Sequence, residues 1–194
     1  TVSARTRQPS SPSLVDRPPR RPHIIIMKWI IVLISVVLCL EKAEGFGVVQ
    51  RNGKLKIGIY LSSMCKDSQK FVTNDLYPAY QDLKDFVDIE FIPWGKAKLD
   101  QNGKIHCQFG DRDCDGNKLQ SCVLHLLEND ADKQMDYMLC EYSTMASTNS
   151  NYQCAYESGI SPILANQCFE SSLGRGLQRY AHAKTSDKVI SFVP

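Results

Sequence analysis

The stretch Tyr60 to Phe71, YLSSMCKDSQKF, leads a strand-like pattern into Cys65 and then into a helical one. A thiol at the N-terminus of a helix meets unpaired backbone N–H groups and the positive end of the helix dipole, and both favour thiolate. Thiolate is the species that attacks a disulfide. Three residues on, where a second cysteine would complete a CxxC pair, the chain has Ser68. In such a pair the second thiol attacks the mixed disulfide and releases the substrate, which a serine cannot do. Its hydroxyl can still donate to a thiolate one helical turn away. Cys65 and Ser68 are therefore the candidate catalytic residues, for an exchange that an external small thiol must complete. The plainer alternative is a buried, inert cysteine.

Holding Cys65 in that place takes a strand before it and a helix after it. Leu55 to Leu61, LKIGIYL, alternates and is rich in strand formers, and Ser62 and Ser63 then break the pattern. From Lys66 to Leu83 the positions Phe71, Leu76, Tyr80 and Leu83 suit one face of a helix, which Pro78 is expected to kink or end early. Val87 to Trp94, VDIEFIPW, alternates again and predicts a second strand that turns at Gly95. The strand, helix and strand make a βαβ unit with parallel strands. Beyond it, residues 96 to 117 are polar and read as turns, while Lys118 to Asp130 and Lys133 to Tyr142 read as short helices. Ala146 to Gln153 reads as a loop, and Cys154 to Arg179 as short helical pieces pinned by cysteines. Lys188 to Pro194, KVISFVP, begins a new apolar stretch.

The N-terminal part places the chain in a compartment. Met27 to Gly45 opens on a positive residue, continues as the apolar run Trp29 to Leu40, and ends in small residues around Ala43 and Gly45. That is the pattern of a secretory signal peptide, which leaves residues 46 to 194 as the mature domain. A membrane anchor over residues 24 to 40 is the competing reading. The apolar run is short for a span and Lys28 interrupts any extension through Ile24 to Ile26, so no stable membrane anchor is expected. Residues 1 to 26 start without methionine and carry five arginines against Asp16, and they read as translated upstream sequence without a fold. Because the whole chain is only +2, the remainder is mildly acidic and has no electrostatic footprint for nucleic acid.

An oxidising compartment makes the cysteine count informative. Cys39 leaves with the signal and seven remain. Cys107, Cys114, Cys122, Cys140, Cys154 and Cys168 crowd together while Cys65 stands alone, which predicts three structural disulfides of open pairing and one free thiol. Asp111, Asp113, Asp115 and Gly116 fit the first half of a calcium loop, but Cys122 occupies the place of the bidentate glutamate. The segment therefore reads as a disulfide-pinned turn, and the cysteine spacing does not match a zinc site. Neither metal nor cofactor is expected. His106, His125 and His182 are scattered and read as surface residues, and no N-x-S/T sequon occurs.

Cys107 to Cys122 reads CQFGDRDCDGNKLQSC, which resembles CQHGxxECxxNxxxxC, the hallmark of the gamma-interferon-inducible lysosomal thiol reductases (GILT). All its cysteines, Gln108, Gly110 and Asn117 are in register, while Phe109 replaces histidine and Asp113 replaces glutamate. YLSSMCKDSQKF with the following LYP, FIPWGKA, and Cys140, Cys154 and Cys168 are similar to other family segments, so the likeness covers Leu55 to Pro194. The resemblance implies an α/β, thioredoxin-like fold with a disulfide-rich helical insertion, in a secreted or lysosomal glycoprotein. It also implies reduction of disulfide-containing protein substrates at acidic pH without a bound cofactor, in the service of host defence. Two departures follow from it. Ser68 falls on the family's resolving cysteine, which impairs dithiol turnover. Pro194 falls on the cis-proline position facing the active site, so the chain reads as truncated before the last strands and helix. The alternative is a secreted binding or immune protein that keeps the scaffold without redox turnover.

Overall fold

Alternation in LKIGIYL sorts its side chains onto two faces of a strand, and each face finds a different cover. The structure, a computed structural model, describes residues 50–51, 53–186, 188 and 193–194. The readings of residues 1–26 as upstream sequence and 27–45 as a signal peptide lie outside the described residues, as does most of the apolar stretch before Pro194. Strands β1 (Gln50–Arg51), β2 (Lys54–Leu61) and β3 (Val87–Pro93) form one sheet in that order. β2 and β3 run parallel, with Leu55 opposite Val87 and Leu61 opposite Pro93, as a βαβ unit requires. A parallel pair needs apolar cover on both faces. Ile57, Ile59 and Leu61 of β2, with Ile89 and Phe91 of β3, pack into the main core. Tyr60 and Ile92, of opposite parity, join Trp94 and Ala181 in a second cluster. A separate antiparallel ribbon pairs β4 (Lys98–Leu99) with β5 (Ile105–His106).

The helix after Cys65 does not end at Pro78. It runs as α1 (Lys66–Lys70), a π-helical stretch (Phe71–Leu76) and α2 (Tyr77–Leu83) without a break. Pro78 lacks an N–H and crowds the carbonyl four residues back. The chain meets this with a wider turn just before the proline, in which the Tyr77 N–H reaches the Val72 carbonyl. Pro78 then sits in the first turn of α2, where a missing donor costs nothing.

The remaining helices are α3 (Asp111–Leu126), α4 (Ala131–Thr144), α5 (Gln153–Glu157), α6 (Pro162–Glu170) and α7 (Ser172–Ser186), with a 3-10 turn at Ser147–Asn149. Asp111 to Asn117, expected to be a turn, is the start of α3. Gly110 at φ +83° supplies the sharp entry, and Asp111 and Asp113 lie in the first turn, where carboxylates oppose the helix dipole. Asp130 caps α4 by accepting from the Lys133 N–H, and Ser161 caps α6 ahead of Pro162. Leu119 and Val123 of α3 meet Tyr137 and Met138 of α4 in the main core, against the inner face of the sheet. No helix among the described residues is long and apolar enough to cross a membrane.

Three disulfides tie these helices together. Cys107–Cys114 links the segment before α3 to its first turn, Cys122–Cys168 links α3 to α6, and Cys140–Cys154 links α4 to α5. Cys65 is the free cysteine among the described residues. The chain-entropy model makes the longest closure the most stabilising. Removing Cys122–Cys168, a separation of 46 residues, by double substitution to alanine should cost about 4 kcal/mol. Removing Cys107–Cys114, a separation of 7, should cost about 2 kcal/mol, with both losses read from urea unfolding.

Glu141, on the buried face of α4, is 2% exposed and accepts the Ser147 N–H at 2.9 Å. Burial pushes its carboxyl above the usual range, and the bonds from Ser147 pull it only partly back. A folded-state value raised above the unfolded one stabilises the fold at acidic pH and loses that contribution as pH rises through the raised value. Glu141→Gln should therefore gain stability relative to the parent between about pH 4 and pH 7, as measured by thermal unfolding. An unchanged difference between the two proteins across that range would contradict this.

Candidate functional site

β2 leaves the sheet at Leu61, whose carbonyl still accepts the Trp94 N–H at 2.9 Å. The next two residues, Ser62 and Ser63, are 0% and 1% exposed, and buried hydroxyls need partners. Asp113, from the first turn of α3, supplies them. Its Oδ1 accepts from Ser62 Oγ at 2.8 Å, from Ser63 Oγ at 2.9 Å and from the Met64 N–H at 3.2 Å. Its Oδ2 accepts from the Phe109 N–H at 3.4 Å. One helical turn later, Asn117 Oδ1 accepts the Ser63 N–H at 2.9 Å. Gln178 of α7 steadies this turn by donating to the Asn117 carbonyl and to Ser121 Oγ.

Close packing requires two glycines around this loop. Gly95 has φ +60°, and a Cβ there would lie 2.6 Å from the Ser62 Cβ. At Gly116 a Cβ would lie 2.5 Å from Ser63 Oγ. Neither position tolerates a side chain without moving the serine.

The clamped loop delivers Cys65 to the N-cap of α1, with φ −77° and ψ 122°. Its N–H donates to the Ser62 carbonyl at 3.1 Å, and its carbonyl accepts the Gln69 N–H at 3.0 Å. The residue is 8% exposed and opens into a cavity of about 340 Å³ whose walls include Met64, Lys66, Lys96, Gln108, Phe109 and Val193. Ser68 is fully buried, and its Oγ accepts the Ser62 N–H at 3.4 Å. Behind the site, Tyr142 is fully buried. Burial first, and then the charges of Asp113, Cys65 and Glu141, push its phenol well above the ordinary range and keep it neutral.

The structure places Cys65 with Gln108 and Phe109 of the CQFG segment, which is held at its base by Cys107–Cys114, around one cavity, while Ser68 is buried and is not one of the cavity's walls. Cys122, Cys140, Cys154 and Cys168 are used in the helix cross-links. Val193 lines the thiol cavity beside Pro194, but the cis isomer expected at Pro194 is not found, since the described residues contain no cis peptide bond. Trans is the default at X–Pro unless packing holds the other form. The aspartates of the calcium-like pattern lie on a helix, and no group of three or more metal-ligating side chains occurs among the described residues. His106 and His125 pair with Asp100 and Glu128, and His182 stands against Trp94. The residues that sequence reasoning missed are Asp113 and Asn117 as holders of the loop, and Gly95 and Gly116 as the space for it. The signal was the four-residue spacing of Asp113 and Asn117, which puts both on one face of a helix.

Among the described residues one free thiol stands at the mouth of a helix, on an α/β scaffold among disulfide-linked helices. The profile of Gamma interferon inducible lysosomal thiol reductase (GILT) matches residues 56–158, more than half of the chain, and the chain belongs to that family. It is 30% identical over 131 residues to the gamma-interferon-responsive lysosomal thiol protein of Arabidopsis thaliana, covering 67% of this chain and 54% of that protein. Identity to GILT-like protein 1 of Drosophila melanogaster is 32% over 126 residues, covering 63% and 48%. With the gamma-interferon-inducible lysosomal thiol reductase of Carassius auratus it is 35% over 74 residues, covering 37% and 30%. The chain spans about half the length of the first two relatives.

Asp113→Ala leaves the Ser62 hydroxyl and the Met64 and Phe109 N–H groups without their acceptor, while Ser63 Oγ keeps the Asp113 carbonyl, and it should cost on the order of 3 kcal/mol in urea unfolding. The same variant should be alkylated faster at Cys65, because the loop before it is no longer held. Asp113→Asn, which keeps one acceptor oxygen, should fall between the two. Alkylation at the parent rate in a folded Asp113→Ala protein would break the link between α3 and the thiol.

Proposed function

We propose that the chain is a thiol–disulfide oxidoreductase that acts on protein disulfides through the single nucleophile Cys65, on a thioredoxin-like scaffold. The observation that carries this is the free cysteine at the mouth of α1, opening into a cavity while the six other cysteines among the described residues are oxidised. The Cys65 thiolate attacks one sulfur of the substrate disulfide. That bond breaks, a mixed disulfide forms, and the second substrate sulfur leaves as thiolate and takes up a proton. A small external thiolate then attacks the substrate sulfur of the mixed disulfide, and Cys65 leaves as thiolate. The outcome is exchange or isomerisation more than net reduction, because Ser68 offers no second thiol. Its Oγ accepts from Ser62 and so keeps its own O–H to donate.

A lysosomal or secreted location and a part in host defence belong to the same proposal. The signal-like pattern of Met27 to Gly45 and the three disulfides support the secretory route. The burial of Cys65 favours one competing reading, a secreted binding or immune protein that uses the scaffold without turnover.

The deciding assay incubates the full chain with a disulfide-bonded protein and a small thiol at acidic pH. Cys65→Ala should abolish thiol-dependent exchange, and Ser68→Cys should raise net reduction by at least about tenfold by supplying an internal resolving thiol. Parent-level exchange in Cys65→Ala would remove the mechanism and leave the binding reading.

A further inference from the structure

Two cavities meet at Lys96. The first is the thiol cavity, in which Met64 and Phe109 form an apolar wall beside Cys65. Phe109 is 41% exposed although it stands next to a buried sulfur. A large aromatic left open on the lip of a cavity is a contact waiting for an apolar side chain. The second cavity, about 550 Å³, lies between the segment after Trp94 and the last turns of α7. Lys96, Lys98 and His182 line it, with the hydroxyl residues Thr185 and Ser186, and no acidic residue is among its walls in the described residues. Lys56 and Lys184 sit against Glu90, Lys84 against Asp132 and Lys133 against Asp130, whereas neither Lys96 nor Lys98 has a carboxylate in ion-pair range among the described residues. On a body whose sequence is mildly acidic, Lys96 and Lys98 are a local concentration of positive charge, set against the single carboxylate Asp67 that, with Lys66, lines the thiol cavity.

We propose that this paired surface selects the substrate: a disulfide-bearing polypeptide with an apolar residue beside its cysteine and acidic residues a few positions away. The proposal rests on Cys65 being the nucleophile. Because Cys65 is 8% exposed, the substrate cysteine must enter the cavity to be attacked, which brings its neighbour against Phe109 and Met64. An extended chain advances about 3.3 Å per residue, so carboxylates only a few positions along reach Lys96 and Lys98. The apolar contact fixes the approach of the disulfide, and the lysines raise the encounter rate of acidic segments over basic ones.

The test uses two peptides that differ only in having glutamates or lysines at those positions. Each carries a phenylalanine next to a single cysteine that is disulfide-bonded to a chromogenic aromatic thiol. Attack of Cys65 on the peptide sulfur releases the coloured thiolate. At low salt the acidic peptide should react about tenfold faster with the full chain, and the advantage should shrink as salt is raised. Lys96→Glu combined with Lys98→Glu should reverse the order, and glycine in place of the phenylalanine should slow both peptides. In parallel, fluorescent versions with serine for cysteine are titrated into Cys65→Ala and followed by anisotropy. Colour release at equal rates for the two peptides overturns the selecting surface and keeps the thiol chemistry. Tighter binding of the acidic peptide to Cys65→Ala, with no colour release from the parent, keeps the surface and overturns the thiol reading.

Discussion

A carboxylate with 1% exposure must be surrounded by donors, and Asp113 is surrounded by the loop that carries the free thiol of Cys65. The dependence runs both ways. Ser62 is a buried hydroxyl whose acceptor is Asp113 Oδ1, Ser63 Oγ is shared between that oxygen and the Asp113 carbonyl, and the buried Asp113 side chain depends on those donors. Neither partner is stable there without the other, so the end of β2 and the start of α3 are fixed relative to each other. Asn117 repeats the connection one turn later through the Ser63 N–H. Gly95 and Gly116 clear the room that lets the backbones come so close.

What is bound to α3 inherits the rigidity of α3. Cys107–Cys114 fastens its first turn and Cys122–Cys168 fastens it further along to α6, while Leu119 and Val123 bury its apolar side against α4. The disulfides thus act on the thiol without touching it. They immobilise the helix whose carboxylate holds the loop, and the loop sets Cys65 at the N-cap of α1 beside Phe109. The same arrangement explains why the CQFG segment belongs to the site: the Phe109 N–H is the fourth donor to Asp113, so the lip of the thiol cavity hangs from the same carboxylate.

The βαβ unit was legible because its signal is local. Alternation in LKIGIYL and VDIEFIP is set by burial on two faces and reads directly as two strands. Pro78 was read for what it does to an α-helix, and the π-helical turn that accommodates it leaves no mark in the pattern. Asp111 to Asn117 was misread for a related reason. Aspartate, glycine and asparagine favour turns by their local chemistry, and their gain as a helix is tertiary, through bonds to residues about fifty positions away. The free thiol at Cys65 followed from an odd count, but the pairing of the other six depends on how the helices pack, which no spacing encodes. Family membership was legible from the register of CQFGDRDCDGNKLQSC, and the meaning of its Asp113 and Asn117 became visible only in the folded chain.

The most direct measurement of the whole account is the oxidation state of each cysteine in the native protein. The full chain is labelled with one alkylating reagent without reduction, then reduced, labelled with an isotopically distinct reagent, and mapped by mass spectrometry. A parallel non-reducing digest identifies the linked peptides. The account predicts that Cys65 alone, of the seven cysteines from Cys65 to Cys168, carries the first label, with Cys107 joined to Cys114, Cys122 to Cys168 and Cys140 to Cys154. Cys65 joined to any of the six would contradict it, because the sulfur on which the fold converges would then be a structural cross-link and not a nucleophile.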